Sequence, residues 1–364
     1  MGKDIQVYTA LDAKVRPAER LDILLLSTEG AAPMRTYTSL EEIQRDFSGK
    51  KVAAMAERMF HQSHSLAGAL IRKVRIAGIE APQDVEETED SEACTKAEGL
   101  VKALEDVRDM DDSFYFLLTD VTDEACVTAL CAWAENTEPN EAALGAGVED
   151  HRKFYFGQVS SKSYSNTYGR SAVIYSDNPE KEWADAAWVG CTGPFWPEGV
   201  TWKWKTPDGV AAADLRDSER DVLENNRVNF MTAEYKHEYV KNGICGDGNF
   251  IDNIVGADYI TYQMRENLYQ IFLSNPNIGY TDAGFAVIAS GVYRALNQAV
   301  ELHIIALDPE TRTGVYSVAI PRRADATDEQ VRSRIMPDIG WEAQLEGAVH
   351  GAKVRGTLQV TLNG

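Results

Sequence analysis

The sequence predicts a mixed α/β protein, and three features of the 364-residue chain carry that prediction. A strand–helix–helix–strand unit runs over 21–76, helices and apolar strands alternate again over 94–175, and two long helices with a 3.6-residue apolar period lie at 252–274 and 282–303. At roughly 150 residues per domain, the chain corresponds to two or three compact units.

Ile5-Gln6-Val7-Tyr8-Thr9 alternates as a strand does, and Arg16-Pro17-Ala18-Glu19 interrupts it before a second strand at 21–27 built on Ile23-Leu24-Leu25-Leu26. Ser39-Leu40-Glu41-Glu42 has the form of a capping box and opens a helix toward Phe47, with a second helix at 51–63 and a strand at 70–76. Helices at 94–108 and 122–136 bracket the strand Phe114–Leu118, and Phe154-Tyr155-Phe156 and Ala172–Tyr175 follow as further strands. Five of the seven tryptophans (Trp183, Trp188, Trp196, Trp202 and Trp204) crowd an irregular segment at 183–204. Ile260, Met264, Leu268 and Ile271 mark the apolar stripe of the first long helix, and Ala286, Ala289, Val292, Tyr293 and Leu296 that of the second. Val315–Ile320 is strand-like, a short helix starts after Thr327, and Leu358-Gln359-Val360-Thr361-Leu362 alternates almost to the last residue. Terminal segments fray unless tied down, so two strand-like ends call for pairing, possible with another chain.

Charge narrows the function. Lys and Arg number 36 against 57 Asp and Glu, a net charge of −21, which disfavours a protein that works by neutralising nucleic-acid phosphates. Residues 80–150 hold 21 acidic and 3 basic residues, whereas 1–79 hold 9 and 12, so the acidity is local and a domain boundary is expected at Glu80. No apolar run reaches the length of a membrane span, so no membrane insertion is expected. The start Met1-Gly2-Lys3-Asp4 lacks the apolar core of a secretion signal, and Gln6 departs from the myristoylation pattern, so synthesis in the cytoplasm is expected. Five cysteines without a Cys-x-x-Cys pair predict free thiols.

Motifs for chemistry are sparse. The nucleophile elbow, the phosphate loop of nucleotide hydrolases, H-E-x-x-H and the EF-hand loop are all missing, and no catalytic residue, metal or cofactor is predicted. His61 and His64 have zinc-like spacing but no third ligand nearby, and read as surface or helix-capping residues. Gly243-Ile244-Cys245-Gly246-Asp247-Gly248 precedes a helix as phosphate loops do, yet no apolar strand feeds it. Gly246 and Gly248 therefore read as a structural turn, with Asp252 capping the helix. Nothing nearby argues for an activated Cys245 thiolate. The acidic run Glu86–Asp90 lacks calcium-ligand spacing and reads as a solvated loop. The tryptophans read first as core, with stacking on sugar rings as the alternative.

Three segments resemble the tail sheath proteins of contractile phage tails and phage-tail-like bacteriocins, in the diffocin-like branch of Gram-positive bacteria. Val15-Arg16-Pro17-Ala18-Glu19-Arg20 with the 39–76 unit is similar to that branch's start. Gly246-Asp247-Gly248-Asn249-Phe250-Ile251-Asp252 and Tyr280-Thr281-Asp282-Ala283-Gly284 resemble the starts of its two long helices. Leu345-Glu346-Gly347-Ala348-Val349-His350, followed by Val354-Arg355-Gly356, resembles its ending. Residues 80–240 match only in outline.

The resemblance implies an inner domain built from both chain ends (19–79 plus 245–350), an inserted outer α/β domain (80–244), and terminal linker arms (1–18 and 351–364). It implies a non-enzymatic subunit that polymerises with itself as hexameric rings in a helical stack around an inner tail tube protein, with baseplate and tail-terminator or collar proteins as further partners. Assembly would occur in the bacterial cytoplasm and the product would be a released phage tail or bacteriocin particle. On this reading Ile5, Val7 and Thr9 of one subunit and Leu358, Val360 and Leu362 of another add strands to a sheet in a third. Pro17, Gly351 and Gly356 are the expected arm hinges, and Arg322, Arg323, Arg332 and Arg334 the expected tube contacts. The runner-up is a carbohydrate- or envelope-binding protein using 183–204, and behind it a cytoplasmic hydrolase for which no residue stands out.

Overall fold

The computed structural model describes residues 22–63, 71–86, 93–138 and 151–353. Eight strands form one mixed sheet: β1 (Ile23–Ser27), β2 (Ala32–Tyr37), β3 (Val74–Gly78), β4 (Phe116–Thr119), β5 (Phe154–Val159), β6 (Ser171–Tyr175), β7 (Asn229–Glu234) and β8 (His237–Val240). Their order is β2-β3-β1-β4-β5-β6-β7-β8. The six inner strands run parallel, and antiparallel β2 and β8 form the edges. Parallel strands covered on both faces have no solvent side, which is why β1, β4, β5 and β6 are mostly apolar and every residue in them is buried.

Alternation along β1 divides the core. Ile23 and Leu25 face one layer with helices α1 (Leu40–Asp46) and α2 (Lys51–Phe60), whereas Leu24 and Leu26 face the other with α3 (Lys96–Met110) and α4 (Glu124–Asn136). After the short α5 (Pro179–Glu182), α6 (Ala184–Thr192) joins the first layer, and Leu223 of α7 (Asp217–Asn225) joins the second. The long helices α8 (Ile251–Ser274) and α9 (Asp282–Glu301) extend the first layer through Ile251, Val255, Tyr259, Val292 and Leu296. A separate two-stranded sheet pairs β9 (Tyr316–Ala319) with β10 (Gly340–Ala343), and α10 (Asp328–Ser333) lies between them in sequence.

Local caps set several helix starts. Ser39 Oγ accepts the Glu41 N–H at 3.2 Å, Thr95 and Glu98 form a reciprocal capping box on α3, and Thr327 and Gln330 form another on α10. The expected turn before α8 is present: Gly248 has φ +91°, its N–H donates to the Cys245 carbonyl at 3.0 Å, and a Cβ on Gly246 would stand 2.5 Å from Asn166 and Tyr168. Asp252 departs from its expected role. Phe250 occupies the cap position without a side-chain bond, so Asp252 lies inside the first helical turn, half-buried, with Oδ1 unpartnered among the described residues. Burial raises its pKa, with its own backbone N–H and Lys205 opposing that rise. The sheet also continues past Glu80: β3 and β4, which flank the acidic stretch in sequence, are the two neighbours of β1.

Candidate assembly surface

The surface is built on the α8–α9 pair. Thr281 caps α9 by accepting the Gly284 N–H at 3.2 Å, and the two helices approach closely where Gly291 leaves room. A Cβ on Gly291 would stand 2.8 Å from Ile271 Cδ1, and Asn267 Nδ2 donates to the Gly291 carbonyl at 3.4 Å. While Ile260, Met264 and Ile271 face inward, Tyr269, Phe272 and Leu273 stand outside at 61, 55 and 84% exposure. With Met264, Leu268 and Trp341 of β10, Tyr269 and Phe272 line a groove of about 430 Å³. Eleven of the 17 large exposed hydrophobic residues among those described fall between Tyr269 and Val349, so the uncovered apolar surface belongs mainly to the C-terminal third. The sequence reading found only the inward stripe of α8. The signal for the outward one was a helix apolar on more than one face.

Beside this face, β9 and β10 form a sheet with no third strand among the described residues. Two strands alone are marginal in water and leave two unpaired edges. Arg322, Arg332 and Arg334 are exposed, and Arg323 lies 4.9 Å over the Tyr280 ring, so all four expected tube contacts cluster around α10. None of these guanidiniums forms an ion pair among the described residues. Gly351 is exposed, whereas Ile5, Val7, Thr9, Pro17, Gly356, Leu358, Val360 and Leu362 lie outside the described residues.

The helical pair is tied to the sheet by a buried charge cluster. Asp258 of α8 accepts hydrogen bonds from Arg170, from Arg152 at 3.2 Å and from the Tyr115 hydroxyl at 2.5 Å. This cluster adjoins a cavity of about 500 Å³ at the strands' amino edge, where Lys73 and Arg75 pair with Asp22, and Lys153 and His151 with Asp112. No group of three or more metal-ligating side chains occurs among the described residues. His61 is exposed at the end of α2, while His64 lies outside the described residues. Cys245 is buried, and that burial pushes its thiol well above the usual range, opposite to what a thiolate nucleophile requires.

Trp183, Trp188, Trp196 and Trp202 are core residues. Trp202 stacks on Phe156 with ring centroids 4.8 Å apart, and its carbonyl accepts the Trp188 indole N–H at 3.0 Å. Trp204 alone of the five is exposed, packed on Tyr239 with Lys203 above its ring. The segment therefore presents no row of rings for a sugar chain, and the sugar-binding alternative is set aside.

No protein-family model matches the chain, and no curated protein matches it in sequence. Solved structures do. The sheath complex of the extracellular contractile injection system PVC, in its contracted state, superposes with a TM-score of 0.62 at 10% identity, over 99% of this chain and 98% of that one. The fold is that of a contractile sheath protein. A chain of the anti-feeding prophage baseplate gives 0.64 at 12% identity, with 93% of each chain covered. A sheath tail protein from Listeria innocua gives 0.52 at 11% identity, over 82% of this chain and 88% of that one. The sheath fold thus extends to injection systems and a Gram-positive tail protein alike, and does not single out the diffocin-like branch.

Proposed function

We propose that this chain is a non-enzymatic subunit of a contractile sheath: copies form hexameric rings that stack helically around an inner tail tube, and shortening of the stack drives the tube through a target envelope. The supporting observation is the likeness of fold over nearly the whole chain to a sheath subunit in its contracted state. The uncovered apolar face on α8 and β10 gives the copies a surface to bury against one another. In this reading 19–79 and 245–350 face the tube and 80–244 faces outward. Arg322, Arg323, Arg332 and Arg334 contact the tube. Baseplate and terminator or collar proteins close the two ends, with assembly in the bacterial cytoplasm and release as a tail-like particle.

The two-stranded β9–β10 sheet is the acceptor for the arms. Ile5–Thr9 of one copy and Leu358–Leu362 of another add to its two edges, converting a marginal two-stranded sheet into one shared by three subunits. Linkers hinged near Pro17, Gly351 and Gly356 keep the copies joined while the bodies slide during contraction.

Negative-stain electron microscopy of the purified chain, alone and with its tube protein, tests the reading. Hollow cylinders or six-fold rings are expected. Monodisperse monomers under both conditions, at concentrations up to the millimolar range, overturn it.

A further inference from the structure

The way the C-terminal arm leaves the body points to a residue that sets where it pivots. Through residue 346 the chain is held by backbone bonds: Gln344 N–H donates to the Val315 carbonyl at 2.9 Å and Glu346 N–H to the Ile304 carbonyl at 2.9 Å. It then loosens. Gly347 has φ +64° with open space around it, and Val349 is 84% exposed. His350 turns back inward. Its Nε2 lies 2.7 Å from Thr201 Oγ1, and its ring meets Phe250 edge to face with centroids 4.4 Å apart. At Gly351 nothing described lies within 4 Å of where a Cβ would stand, and Ala352 and Lys353 are exposed.

We propose that His350 is the anchor of the C-terminal arm, a positioning residue that pins the arm's base to Thr201 and to Phe250 at the start of α8, so that the arm swings from Gly351. The inference rests on the reading of 351–364 as an exchanged arm. Two separate parts of the body hold the imidazole: Thr201 within the tryptophan-rich segment and Phe250, the residue preceding α8. Burial, then Lys203, lowers the pKa of His350, which keeps the ring neutral at pH 7 and its nitrogen able to share a proton with Thr201. A fixed base shortens the range of directions the arm explores before it meets a neighbour's sheet, which lowers the entropy lost on joining.

Hydrogen exchange of the full-length chain, diluted until monomeric, reads the anchor directly. In His350→Ala and Thr201→Val, peptides covering 345–353 are expected to exchange about tenfold faster, while peptides from α8 and the sheet, and the Tm, hold their wild-type values. His350→Gln keeps a hydrogen-bonding group and is expected to restore part of the protection. At concentrations where the wild type forms cylinders, His350→Ala is expected to assemble several-fold more slowly. Unchanged exchange over 345–353 overturns the anchor, as does faster exchange spread through α8 and the sheet, which would make His350 a general packing residue. Faster local exchange with wild-type assembly overturns its role in placing the arm. A wild type that never assembles overturns the sheath reading instead, and the anchor then stands or falls on the monomer exchange alone.

Discussion

Asp185, in the first turn of α6, is 1% exposed; its Oδ1 accepts the Ala186 N–H at 2.8 Å and its Oδ2 has no partner among the described residues. Burial raises its pKa to about 7, with backbone N–H groups opposing the rise. Because the folded value lies above the unfolded one, the folded chain holds a proton that the unfolded chain has released between about pH 4 and 7. Stability from this group is therefore complete at low pH and is lost as pH rises to about 7, by on the order of 3–4 kcal/mol. Asp185→Asn removes that slope, so denaturant melts of variant and wild type should diverge between pH 4 and 8, with the wild type losing more. A constant difference across the range refutes the assignment. Asp258 gives a second test. Arg170→Met leaves a buried carboxylate short of a partner and should cost about 3–5 kcal/mol, whereas Asp258→Asn with Arg170→Met, which removes the charge but keeps an acceptor for Tyr115 and Arg152, should recover part of that loss. Neither residue was singled out by the sequence, because Arg170 and Asp258 are 88 positions apart and meet only once α8 lies on the sheet.

Helices and strands carry the structure at the next level, and their order along the chain was largely readable. Apolar period and end signals place α1, α2, α8, α9 and α10 within a few residues of their observed bounds, since Ser39, Thr281 and Thr327 act locally. Strand order was not readable. β1 sits between β3 and β4 because the connection through α3 carries the chain from β3 past β1 to β4, and no local pattern records which neighbour each strand takes. The charge change at Glu80 does not coincide with a break in the sheet, since β3 and β4 on either side of it both pair with β1. Asp252 was misplaced for a smaller reason: the helix begins one residue ahead of it, at Ile251. The α8–α9 approach supplies the prediction at this scale. Gly291→Val forces its side chain against Ile271 and Leu268 and should cost about 2–3 kcal/mol, read as a lower urea midpoint at unchanged m-value. Gly347→Ala, placed where φ is positive but space is open, should cost no more than about 1 kcal/mol.

For the whole molecule, the deciding quantity is a net charge of −21 on every copy that has to join a ring. Like charges repel over a Debye length of about 10 Å at 0.1 M salt and about 3 Å at 1 M. The apolar face around Tyr269, Phe272 and Trp341 supplies an attraction that salt does not screen. The lowest chain concentration that yields cylinders should therefore fall as sodium chloride is raised from 0.1 to 1 M. Strand addition sets the control. A chain lacking residues 354–364 keeps β1–β10 and their core, so its Tm should match the wild type, yet with one edge of the acceptor sheet unfilled it should stay monomeric at every salt concentration. Light scattering across a salt series, run on both chains, separates the two contributions. Cylinders from the truncated chain refute strand exchange, and a wild-type threshold that rises with salt shows that ion pairs across the interface, not apolar burial, hold the copies together.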